Sequence, residues 1–141
     1  MVANERKRDK FLTVMAILFV ILAVSNFTKA FQFSSDPTHL GIVLFGVRFE
    51  TFASNLLLGA LAGLVLAAYA YGLWTLPRWV FPLSVFYAFY VPVNLVLFWR
   101  RDVGPELPPV SALLGYLAVA LGGSIGTALY LAYHRDELLR R

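Results

Sequence analysis

Three asparagines stand alone within long apolar stretches of the chain: Asn26, Asn55 and Asn94. A carboxamide carries two N–H donors and a carbonyl acceptor. In apolar surroundings it must find protein partners or a polar ligand, because burying it unpaired is costly. Tyr90 precedes Asn94 by one helical turn, so the two share a helix face. Lys29 and Glu50 are the charges nearest the same ends of these stretches. Asn26, Lys29, Glu50, Asn55, Tyr90 and Asn94 therefore form a candidate polar cluster. It could line a pocket for a neutral or anionic solute, or serve as interhelical hydrogen bonds that fix packing. Ser111 and Tyr116 would enter the same half from the last stretch. Lys29 and Glu50 could pair with each other. Alternatively, Lys29 snorkels to headgroups while Glu50 pairs with Arg48, Arg100 or Arg101.

Other chemistry finds little support. The chain has no cysteine, so it offers no thiol nucleophile, disulfide or thiolate metal site. Its two histidines, His39 and His134, fall at opposite ends of the apolar stretches, so they cannot share a metal or hold a haem between them. No Ser-His-Asp set is plausible. No aspartate or glutamate sits near the middle of an apolar stretch. That weighs against a proton-driven carrier, which needs a group that changes charge inside the bilayer. No cofactor and no metal are expected. Arg48, Glu50 and Asn55 loosely resemble polar positions of the four-helix membrane glutathione and eicosanoid enzymes. The likeness covers one helix start and the overall size. The spacing departs from that pattern and its neighbouring histidine is missing, so no residue role carries over.

The elements that must position these groups are four apolar runs, at about 11–31, 52–74, 80–99 and 110–133. Each is long enough to cross a hydrocarbon core of about 30 Å at about 1.5 Å per residue. Only 14% of residues are charged, against about 25% in ordinary soluble domains. The fold expected is a single all-α transmembrane domain over residues 1–141, a four-helix antiparallel bundle. Basic residues set its orientation. Arg6, Lys7, Arg8, Lys10, Arg78, Arg135, Arg140 and Arg141 lie on one side; Lys29, Arg48, Arg100 and Arg101 lie on the other. The positive-inside rule places both termini in the cytoplasm. This topology accounts for the pI near 9.6 without nucleic acid, and a basic inner rim suits anionic lipid. The first run begins like a signal peptide, with a small-residue stretch at Ala23-Val24-Ser25. Because its apolar residues continue to Phe31, it is read as a retained helix.

Packing signals are uneven. Asn55, Gly59, Gly63 and Ala67 recur every four residues on one face of the second run, and Gly59-x-x-x-Gly63 lets another helix approach closely. Gly122-x-x-x-Gly126 is a second small-residue seam, in the fourth run. Thr75-Leu76-Pro77-Arg78 is a tight turn flanked by Trp74 and Trp79, which makes the second and third runs an antiparallel pair. Pro82 falls in a first turn, where it is tolerated; Pro92 is interior and should kink its helix. Tyr69-Ala70-Tyr71 and the aromatics from Phe86 to Tyr90 face each other across the turn. They would form core packing or a groove for a flat or lipidic ligand.

The connection 32–51 is the longest. Ser34-Ser35-Asp36-Pro37-Thr38 is turn chemistry, and the residues from Ile42 to Phe49 are β-branched and aromatic. A short hairpin on the outer side and an interfacial or re-entrant segment both remain open, since about ten apolar residues are too few to span. The connection 102–109, with Gly104, Pro105, Pro108 and Pro109, should be compact. The leading functional expectation is a non-catalytic multi-pass protein of a prokaryotic cytoplasmic membrane. It would act as an accessory or assembly subunit, or hold lipid, with membrane lipids and either its own copies or another membrane protein as partners. The alternatives are a small oligomeric channel or carrier for a neutral or anionic solute, and a membrane enzyme with a lipophilic substrate.

Overall fold

The computed structural model describes residues 9–35, 41–101 and 110–136. The turn 36–38, His39, the connection 102–109 and most of the basic tail residues lie outside this set, as do the side chains of Ser111 and Tyr116. Five helices and one hairpin are described, in the order α1 (Lys10–Phe27), α2 (Lys29–Ser35), β1 (Ile42–Leu44), β2 (Val47–Phe49), α3 (Phe52–Thr75), α4 (Val80–Arg101) and α5 (Val110–Tyr133).

The first apolar run is broken four residues before its expected end. The Thr28 hydroxyl bonds back to the carbonyls of Val24 and Ser25, at 3.2 and 3.1 Å. It thereby satisfies carbonyls that a continuing helix would have used. The chain then turns into the short α2, so 29–31 belong to a separate helix. Asp9 caps α1 by accepting from the Phe11 N–H at 2.8 Å, and Thr51 caps α3 by accepting from the Ser54 N–H at 3.2 Å. α3 ends at Leu76, which is left-handed and donates its N–H to the Gly72 carbonyl. Pro77 follows directly, where it stops the helix at little cost. α4 runs through Pro92 as one helix.

Packing begins with α1 against α3, the most extensive contact in the described molecule. Leu12, Ala16, Phe19 and Ala23 of α1 are buried with Leu66, Tyr69, Ala70 and Leu73 of α3 and Val80 of α4. Phe19, Tyr69 and Tyr87 join α1, α3 and α4 through ring contacts of 4.6 to 5.6 Å between centroids. α5 packs chiefly on α4. It also reaches α1, where Phe11 meets Tyr130 at 4.9 Å.

The distribution of polarity is inverted relative to a water-soluble domain. Asn55, Ser84, Ser124 and Thr127 are fully buried, while Ile21, Val24, Leu57, Leu64, Phe86 and Phe89 are largely exposed. Among the described residues, α1, α3 and α4 are long and apolar enough to cross a membrane; α5 carries the shorter apolar stretch Leu117–Tyr133.

Candidate functional site

The connection between α2 and α3 forms a two-stranded antiparallel hairpin, pairing Ile42 with Phe49, Val43 with Arg48 and Leu44 with Val47. Its two-residue turn is Phe45-Gly46, with φ of 50° and 74°. Positive φ at both positions is the geometry that matches the twist of paired strands. Gly46 is required twice over. Besides its backbone conformation, a Cβ there would lie 2.5 Å from backbone and side-chain atoms of Leu97. The hairpin touches both α3 and α4. It lies at the ends of these helices away from their short connecting turn, beside which Gly72 packs on Trp79 and Val80.

Two of the three asparagines are spent on this hairpin. Asn55, fully buried at 0% exposure, clips its open end. Its Oδ1 accepts from the Ile42 N–H at 2.7 Å, and its Nδ2 donates to the carbonyls of Phe49 and Thr51 at 2.7 and 2.9 Å. Asn94 clips the turn end. Its Oδ1 accepts from the Gly46 N–H at 3.0 Å and its Nδ2 donates to the Val43 carbonyl at 3.3 Å. The Arg101 guanidinium donates to the Phe45 carbonyl at 3.4 Å. Each clip thus serves one N–H and at least one C=O that a two-stranded ladder leaves at its margins. Tyr90 joins through its ring, which meets Phe45 edge-on at 5.4 Å and stacks with Phe86 at 6.1 Å.

Asn26 behaves differently. Its Nδ2 donates to the Leu22 carbonyl of its own helix at 2.8 Å. Its backbone carbonyl lies against Gly59, where a Cβ would come within 2.5 Å. Asn26 therefore marks the α1–α3 seam, whereas Asn55 and Asn94 mark the hairpin. Gly63 lies on the same seam, against the Phe27 ring. Among the described residues, nothing stands within 4 Å of a Cβ at Gly122, and one at Gly126 meets the Phe11 ring at 3.9 Å.

The charges divide as well. Glu50 is exposed and pairs with Arg48, at 3.7 Å from Nε to the carboxylate. Lys29 is half-buried at the start of α2 beside Gly59, and burial lowers its ammonium below the ordinary lysine value. With the amides committed to the backbone, the cluster has the chemistry of a clamp. The hairpin as partner of the asparagines is what sequence reasoning missed, together with the roles of Phe45, Gly46 and Arg101. The available signal was Phe45-Gly46 between two β-rich triplets, a two-residue turn pattern with glycine in second place.

Helices of membrane-spanning length around buried polar residues, with a clamped hairpin at one end, define the molecule's class. The chain matches no family model, no curated protein and no solved structure.

Proposed function

We propose that the chain is a multi-pass protein of a prokaryotic cytoplasmic membrane, with α5 as a fourth span and both termini in the cytoplasm. In this reading it acts without catalysis as an accessory or assembly subunit. Lipid and a second copy or another membrane protein cover its apolar faces. The supporting observation is that Asn55 and Asn94 use their amides to hold the chain's own hairpin. A solute path through this end of the bundle would need those groups available to solute. The polar residues instead build a fixed surface from the hairpin and the ends of α3 and α4.

Flux through proteoliposomes tests the reading. Vesicles holding the purified chain should pass glycerol and chloride no faster than protein-free vesicles. A flux abolished by Asn94→Leu in a folded variant would replace this proposal with a channel. For the orientation, a single cysteine at Ser35 should label from outside intact cells. Labelling confined to permeabilised cells would reverse the topology.

A further inference from the structure

The hairpin carries a consequence for where it sits in the membrane. Its turn is docked on the last two turns of α4. Gly46 lies against Leu97 and bonds Asn94, and the Phe45 ring meets Tyr90. Trp99, Arg100 and Arg101 mark the end of that helix with an aromatic anchor and two cations, the residues expected at headgroup level. Leu97 and Tyr90 precede Arg101 by four and eleven residues, so they lie about 6 Å and about 16 Å below it at about 1.5 Å per residue. Phe45 reaches along this range, with its carbonyl accepting from Arg101 and its ring against that of Tyr90.

Two further observations agree with this depth. The first is the hydrogen bonding. A hairpin in water can leave its marginal N–H and C=O groups to solvent, but in hydrocarbon each must be satisfied by protein. Here the N–H groups of Ile42 and Gly46 and the carbonyls of Val43, Phe45 and Phe49 are served by side chains of α3 and α4. The second is the residue at the turn. Its first position ordinarily takes Asn, Asp or Gly, because φ is positive there. A side chain with a Cβ is strained in that conformation. This chain places Phe45 there, 61% exposed, with Val47 exposed beside it. Residues 41–47 contain no charge and no polar side chain. A large apolar ring at a strained, exposed turn fits an apolar solvent.

From these observations we infer that the hairpin is a re-entrant wedge. Its Phe45-Gly46 turn is embedded among the acyl chains of the leaflet on the Trp99–Arg101 side, and the ring of Phe45 and the side chain of Val47 face lipid. The wedge lies against both α3 and α4 at the ends away from their connecting turn. The inference rests on the membrane placement proposed above, and its test separates the two.

Because the chain has no cysteine, single nitroxide labels can be placed directly. Phe45→Cys, Val47→Cys, Val96→Cys and Ser35→Cys would be labelled and reconstituted in phosphatidylcholine–phosphatidylglycerol bilayers. Collision with dissolved oxygen, which concentrates in hydrocarbon, is compared with collision with a nickel chelate, which stays in water. Val96 is exposed on α4 and Ser35 is exposed at the end of α2. They supply the lipid and water references. The oxygen-to-nickel ratio at 45 and 47 should match that of Val96 and exceed that of Ser35 several-fold. Ratios at 45 and 47 equal to that of Ser35, with Val96 still oxygen-dominated, would overturn the wedge. Nickel access at Val96 itself would overturn the membrane placement first. If Phe45→Cys lowers the thermal midpoint, Val47→Cys alone decides.

Discussion

Two stretches of this chain carry the same small-residue spacing and meet different surroundings. At Gly59 and Gly63 the neighbouring helix fills the space a side chain would need, with the Asn26 carbonyl against one and the Phe27 ring against the other. Among the described residues, Gly122 has no such neighbour, and Gly126 meets the edge of a distant ring. A glycine pair four residues apart permits close approach but does not itself attract a partner. What holds α1 on α3 is the van der Waals packing of Leu12, Ala16, Phe19 and Ala23 over the same face. The asparagines repeat the lesson. One residue type serves a hairpin at Asn55 and Asn94, but its own helix at Asn26.

The sharpest way to break this comparison is Gly59→Ala. Its new Cβ would meet a backbone oxygen, which cannot rotate away, so α1 must shift along the seam. The expected loss is about 3 kcal/mol, read as a lower thermal midpoint of the purified protein. Gly63→Ala should cost less, because its Cβ meets the Phe27 ring, which can turn. Equal midpoints for wild type and Gly59→Ala would remove the close approach.

Next in size is Asn55→Leu. It strands the Ile42 N–H and the Phe49 carbonyl and should cost about 2–3 kcal/mol. Hydrogen exchange at the hairpin amides should rise with it. Asn26→Leu removes one bond within α1 and should cost under about 1 kcal/mol. Equal losses for the two variants would mean that the hairpin clip contributes nothing special.

The smallest expected effect is that of Gly122→Ala. Among the described residues nothing lies within 4 Å of its added methyl, so the thermal midpoint should be unchanged within about 0.5 kcal/mol or slightly raised. A fall in midpoint together with a change in oligomer mass would instead place a second chain against α5.

Much of the architecture was legible beforehand because it depends on local, additive properties. Helices α3, α4 and α5 begin where the apolar runs begin, and the Leu76-Pro77 turn is where left-handed and proline chemistry end α3. The hairpin was legible as one of two alternatives, since Ile42 to Phe49 is β-rich but too short to decide its own setting. The break at Thr28 was not legible. It rests on one hydroxyl reaching two carbonyls, which hydropathy does not register. The pairing of amides with the hairpin was also hidden. Residues 46 and 94 are far apart in sequence, and nothing in either residue type specifies the other.

The sequence by itself determined the apolar lengths of the helices, the tight turn between α3 and α4 and the isolation of three amides in apolar runs, because these follow from residue type and spacing along one chain. Only the tertiary structure decided which glycine pair is a seam, which asparagines clamp and which bonds its own helix, and how far down α4 the Phe45 turn is docked. Those outcomes depend on distances between segments remote in sequence. An amide or a glycine accepts many neighbours, and packing alone selects the one it meets.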